Sequence, residues 1–283
     1  MRIKVAYFFN KLLARLKRSH TLDPIIVYQM GKVGSASMQR SLIATFRSMG
    51  MDVPVHHIHN LHNLEAMEKS ILQSAIPRED TLMGIRLGLA LKKQMDENPN
   101  QQWNLISLVR EPVARSISDF FHGFQEIVPN YGQLYLQGQL SMEEVRNAFF
   151  SKFDPPGTPY DWFDNQMKTI FDIDVYAKPF PIPKGYEIYR DRKRTPLLLI
   201  RLEDLDRVAR QAMKEFLMIE NFSITKSNIG AEKQYATLYS DFKNTPLPRK
   251  FLEKKYATKY ARHFYSNDEI ENFYKKWSSS GEI

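Results

Sequence analysis

Pro24-Ile-Ile-Val-Tyr-Gln-Met-Gly-Lys-Val-Gly-Ser-Ala-Ser-Met38 is the stretch that decides the fold. The β-branched run Ile25-Ile26-Val27 reads as a buried strand. It opens into a loop of small residues carrying one lysine, Lys32, and then into the helical pattern Met38-Gln39-Arg40-Ser41-Leu42-Ile43. A strand, a loop and a helix start in that order gather backbone N–H groups and the positive end of the helix dipole at one point. Lys32 adds a full charge there, so the segment is a built anion site.

Working outward, Leu105-Ile-Ser-Leu-Val109 reads as another buried strand, ending in Arg110-Glu-Pro-Val-Ala-Arg-Ser-Ile-Ser118. Pro112 suits the first turn of a helix. Arg110 then lies at the C-terminal end of a strand, and Ser118 about two turns into the helix that follows. A nucleoside-triphosphatase loop places a hydroxyl directly after its lysine to hold magnesium. Here Val33 follows Lys32, and the hydroxyls of Ser35 and Ser37 come only after Gly34. That order counts against ATP chemistry.

The rest of the chain alternates. Val53-Pro-Val-His-His-Ile-His59 reads as a strand, with Pro54 marking its start or a sheet edge. Helical patterns follow near residues 64–74 and 82–94, and after Arg110 near 113–125, 142–151 and 161–171. A strand is expected at 197–201, and helices over 204–216 and from Pro248 onward. Such alternation implies a parallel sheet covered on both faces, with ligands at the strand C-termini. Residues 154–157 and 179–185 read as rigid proline-containing loops rather than linkers, which leaves one domain over 23–283 and a separate segment over 1–22.

A net charge of +8 and a pI near 9.4 favour an anionic partner. The basic residues are scattered and no nucleic-acid signature is present, so nucleic acid is not the expected partner. The chain has no cysteine, which removes disulfides, thiol chemistry and cysteine-ligated zinc and suits a reducing cytoplasm. Residues 1–19 carry six Lys and Arg, no acid, and the apolar residues Val5, Phe8, Phe9, Leu12, Leu13 and Leu16 at helical spacing. Their longest apolar run is far below the roughly 18 residues of a membrane span. Two readings stand for this basic amphipathic helix: it lies on an anionic membrane surface, at the inner face, or it docks its stripe on the domain.

Lys-x-Gly-Ser-x-Ser after one strand and Arg-x-Pro-x-x-Arg-x-x-Ser after a later one resemble the two nucleotide-binding motifs of sulfotransferases. Further likeness in Leu197-Leu-Leu-Ile-Arg-Leu-Glu-Asp-Leu205 and in Phe264 to Trp277 points to the bacterial carbohydrate branch associated with capsular polysaccharide synthesis. The resemblance covers most of residues 24–278 and implies a P-loop-type three-layer α/β fold, a central mostly parallel sheet flanked by helices. It implies 3′-phosphoadenosine 5′-phosphosulfate as donor and a glycan hydroxyl as acceptor. By it, Lys32, Val33, Gly34, Ser35, Ala36 and Ser37 would hold the 5′-phosphosulfate, while Arg110 and Ser118 would hold the 3′-phosphate. Ala36 departs from the Thr of many relatives, which removes one hydroxyl contact. No metal is expected. A P-loop kinase, and a peripheral membrane or glycan-binding protein without turnover, are the alternatives.

Sulfuryl transfer to a hydroxyl needs a base, and imidazole titrates in the right range. His56, His57, His59 and His62 are four of the seven histidines, and His57 and His59 share one face of their strand. His59, nearer the strand end, is the first candidate and His57 the second. A three-imidazole zinc site and a purely structural role are the competing readings. Residues 161–167 read either as a sugar-binding surface or as an ordinary amphipathic helix, and residues 227–230 fall where relatives close a loop over the donor.

Overall fold

A computed structural model describes residues 22–73, 79–153, 160–190, 195–225 and 235–278. The N-terminal helix expected over 1–22 falls, apart from Leu22, outside the described residues, as do the loops at 154–157 and 227–230. Chain order runs β1 (Ile25–Tyr28), α1 (Ser35–Ser48), β2 (Val55–Ile58), α2 (Leu64–Leu72), α3 (Glu79–Glu97), β3 (Asn104–Val109) and α4 (Pro112–Ile127). Next come α5 (Tyr131–Leu136), α6 (Met142–Phe153), a π-helical turn (Phe163–Lys168) running into α7 (Thr169–Phe171), β4 (Tyr186–Tyr189) and β5 (Leu197–Arg201). After a 3₁₀ turn (Leu202–Asp204) follow α8 (Leu205–Leu217), α9 (Ala236–Asn244), α10 (Arg249–Tyr256), α11 (Lys259–Phe264) and α12 (Asn267–Ser278).

The fold is α/β. Strand order is β2-β1-β3-β5-β4, parallel except for β4, which pairs antiparallel with β5. All four residues of β1 and all five of β5 are buried, as a parallel sheet covered on both faces requires. β2 begins just after Pro54 and is an edge strand, so both readings of that proline hold. From β1 the chain crosses to β2 on one side and then to β3 on the other, which makes the C-terminal ends of β1 and β3 a switch point, the place where open α/β sheets bind ligands.

Three features differ from the sequence expectation. β4 was not anticipated, because Tyr186-Glu-Ile-Tyr189 is short and is a strand only through its pairing with β5. α5 and α9 were not anticipated. The helix expected over 161–171 is mostly π-helical, a conformation that local sequence does not announce.

Two apolar clusters hold the molecule. One lies on the sheet; the other is aromatic and joins α4, α5, α6, α9, α10 and α12 around Phe120, Phe121, Phe149, Phe242 and Trp277. The aromatic residues after Tyr235 that are buried, among them Phe242, Tyr256 and Phe264, pack in these cores.

Glu111, 2% exposed, caps α4: its carboxylate accepts from the Val113 and Ala114 N–H groups at 2.7 Å each. It also accepts from the Tyr256 hydroxyl at 2.7 Å and the Trp277 indole at 3.3 Å. Burial pushes its pKa up, while these hydrogen bonds favour the charged form. Glu111→Ala is expected to destabilise the fold by about 2–4 kcal/mol, since it removes a cap and strands buried donors. Thermal or denaturant unfolding checks this; a change under about 0.5 kcal/mol, the scale of an ordinary surface substitution, would contradict it.

Candidate active site

The loop after β1 is shaped by backbone conformation first. Lys32 has φ 71° and Gly34 φ 97°, both left-handed. Gly34 also has no room for a side chain: a Cβ there would stand 2.7 Å from Leu202 Cδ1. It is the N-cap of α1 and offers no capping side chain, and the first turn of α1 contains no acid. The N-terminal amides and dipole of a 14-residue helix thus face the loop without a competing carboxylate. Val33 is fully buried and anchors the loop, Ser35 is buried in the first turn, and Ala36 and Ser37 are half-buried beside it.

Cations from the end of β3 and from α4 hold the loop from outside. The Arg110 guanidinium donates from NH1 to the Lys32 carbonyl at 3.0 Å, and the buried Arg115 donates to the Gly31 carbonyl at 3.2 Å. In a trans peptide the carbonyl and the next N–H point in opposite directions. Holding these two carbonyls therefore turns the Lys32 and Val33 N–H groups away from the arginines. Arg110 is itself clamped: its backbone N–H donates to the Tyr260 hydroxyl, which donates back to the Arg110 carbonyl, both at 2.9 Å. Glu203 accepts from the Glu111 N–H at 2.7 Å and from the Tyr265 hydroxyl at 3.0 Å. Ser118 lies half-buried on α4, about two turns in, as its distance from Pro112 indicated.

The histidines enter from β2. His57 lies in the strand and His59 just past its end, with ring centroids 4.8 Å apart in an edge-to-face contact, so the two do share one face. His56 points the other way, toward Trp103 at 6.0 Å. His59 Nδ1 is 2.7 Å from the Gln29 carbonyl, which can only accept, so Nδ1 carries the hydrogen and Nε2 keeps its lone pair. Crowding around the ring lowers the His59 pKa and Lys32 lowers it further, whereas the Gln29 carbonyl and Asp119 raise it. Solvent still reaches His59, which limits the fall. His57 is more withdrawn: burial, then His59, take its pKa down to about 4. Both imidazoles are therefore neutral at pH 7.

Among the described residues no three His, Cys, Asp or Glu side chains converge on a metal-binding position. His62 is exposed, and its backbone N–H is held by Gln166 at 3.0 Å. The segment 161–167 works as a clamp: Trp162 Nε1 donates to the His59 carbonyl at 2.8 Å, and Gln166 Oε1 accepts from the Tyr28 hydroxyl and the Leu61 N–H as well. Trp162, Phe163, Gln166 and Met167 are buried, so these positions follow the amphipathic reading and not the sugar-binding one. Asp164 faces outward and pairs with Lys259 at 3.5 Å. Arg201 is structural, bonded to Asp204 at 2.6 Å and Glu269 at 2.7 Å.

Sequence reasoning passed over Gln29 and gave Arg115 no role; both sit in motifs already quoted, but only the loop carbonyls facing them reveal what they do. It also missed Lys243, whose pKa is pushed down by burial and then by Lys276 and Arg110, a sign of crowded positive charge beside Arg110. The cleft of about 600 Å³ lined by Asp23 and residues 97–102 sits at the N-terminal ends of β1 and β3, the opposite end of the sheet from the loop. It brings no histidine or cation and has no part in this chemistry.

Residues 147–266 match a family model described as "Putative capsular polysaccharide synthesis protein". No curated protein matches the chain, and no solved structure does. Among the described residues no helix is long and apolar enough to cross a membrane. The matched stretch starts after the loop and after Arg110, and it contains Tyr256 and Tyr260, which brace the start of α4. That stretch is thus similar to a family named for the synthesis of capsular polysaccharide.

Proposed function

We propose that this chain is a sulfotransferase of capsular or surface polysaccharide synthesis, moving a sulfuryl group from 3′-phosphoadenosine 5′-phosphosulfate to a glycan hydroxyl. One observation carries the reading: an uncapped anion loop, a base-competent imidazole and an arginine from a neighbouring strand end meet at the switch point of β1, β2 and β3. Lys32 and the loop amides hold the 5′-phosphosulfate, and Arg110 with Ser118 takes the 3′-phosphate. The His59 Nε2 lone pair takes the hydroxyl proton as the acceptor oxygen bonds to sulfur. The bond from sulfur to the bridging oxygen breaks at the same time, and Lys32 meets the charge growing on that oxygen. Holding donor and acceptor in line supplies much of the remaining acceleration.

The donor assignment is tested by nucleotide affinity. The desulfated nucleotide bearing the 3′-phosphate is expected to bind far more tightly than AMP, and Arg110→Ala to remove most of that preference. A charge-assisted contact to phosphate contributes about 1.5–3 kcal/mol, or roughly ten- to a hundredfold. Because Arg110 also braces Lys32, its loss should weaken AMP binding too, though by less. Equal affinity of the wild-type protein for both nucleotides, measured by calorimetry, would sink the assignment.

A further inference from the structure

Gln29 is fully buried at the end of β1, immediately before the loop. Its backbone N–H reaches the Ile58 carbonyl at 3.4 Å, one step past the last β1–β2 rung, Tyr28 with Ile58. On the other side, the β1–β3 register runs only to Val27 with Ile106. There the Gln29 side chain takes over: its Oε1 accepts from the Leu108 N–H at 3.1 Å. Leu108 supplies a donor, so the oxygen must face it, and the Nε2 that remains is buried with no partner among the described residues. A hydrocarbon of equal length would fill this space without burying an unpaired amide nitrogen, which is unfavourable. Packing alone therefore does not account for glutamine here. What the amide achieves is a backbone held from both flanking strands, with its carbonyl pointing at His59 Nδ1 2.7 Å away.

We infer that Gln29 is the positioning residue of the site: by bridging β1 to β3 it fixes the carbonyl that selects the Nδ1–H tautomer of His59 and aims Nε2 at the acceptor. The inference rests on the reading of His59 as the base. It also joins base and donor loop, since the residue that orients the imidazole is the one from which the loop departs.

The test uses the full chain labelled with ¹⁵N, with the His59 signals assigned by their loss in His59→Ala. Wild-type His59 should show the Nδ1–H tautomer. Gln29→Met, of similar length but without an acceptor for Leu108, should give a mixture with the Nε2–H form and lower kcat roughly 10- to 100-fold, the scale of a misplaced catalytic group. The acidic limb of its rate profile should move to lower pH, because the Gln29 carbonyl raises the His59 pKa. Gln29→Glu keeps an acceptor oxygen and should restore the Nδ1–H form. Should Gln29→Met not fold, Gln29→Asn, too short to reach Leu108, is read in the same way. An unchanged tautomer and pH profile in a folded variant overturns the positioning role, even if His59→Ala abolishes transfer. A changed tautomer beside a fully active His59→Ala shows that Gln29 sets the imidazole but overturns its positioning role in the reaction, because it removes His59 from the chemistry.

Discussion

His59→Ala is expected to lower turnover by roughly 10²–10⁴-fold, the usual contribution of a positioned general base. Affinity for the desulfated nucleotide should stay nearly unchanged, because the proposed donor contacts come from the loop, Arg110 and Ser118 and not from His59. Crowding around the ring lowers the His59 pKa below its ordinary value of 6.5, so the neutral, proton-accepting form prevails at and above neutrality. The rate should therefore be flat from about pH 7 upward and fall only below 6.5, as protonation removes the lone pair. In His59→Ala this acidic limb should vanish. His57→Ala is the matched control, on the same face one pleat back. If His57 proves the more damaging, the two exchange roles. If neither substitution changes turnover by roughly tenfold in a folded protein, the imidazole base is wrong and a carboxylate such as Asp161 or Asp164 is next to be tested.

Lys32→Ala should lower kcat by roughly 10²–10³-fold, the loss seen when a preorganised group facing developing charge is removed. Donor affinity should fall as well, by roughly tenfold or more. Lys32 sits at φ 71°, which alanine tolerates no better than lysine, so the backbone strain is common to both. Lys32→Gly relieves that strain and should be equally inactive if the charge is what matters. Recovery of activity in the glycine variant would show that loop conformation, not the ammonium, limits the alanine one. A Lys32→Ala enzyme within tenfold of wild type would remove lysine from the leaving-group role.

Much of this arrangement could be read from residues alone because its signals are local. Ile25-Ile26-Val27 before a run of small residues, and Val109-Arg110 before Pro112, fix strand ends and helix starts within a few positions. His57 and His59 share a face because strands alternate, and that needs no tertiary information. β4 was illegible for the opposite reason: four residues with one acid become a strand only once β5 offers an edge. The π turn likewise depends on Gln166 reaching Tyr28, Leu61 and His62 across about a hundred residues of chain. Arg115 and Gln29 stood in plain view in both motifs. Their work is to hold backbone carbonyls, and which carbonyls face them is decided by the fold.

The bracing of Arg110 by Tyr260 spans 150 residues of chain, and that of Glu111 by Trp277 spans 166. During synthesis the loop and the first strands leave the ribosome long before the helices that clamp α4. Contacts so distant in sequence must wait for nearly the whole polypeptide, and they are slow to close. A nascent chain released before α11 would hold every residue assigned to the donor and lack the hydroxyl that fixes Arg110. Under the proposed function, competence to bind nucleotide would arrive late, and truncated products would not sequester the donor.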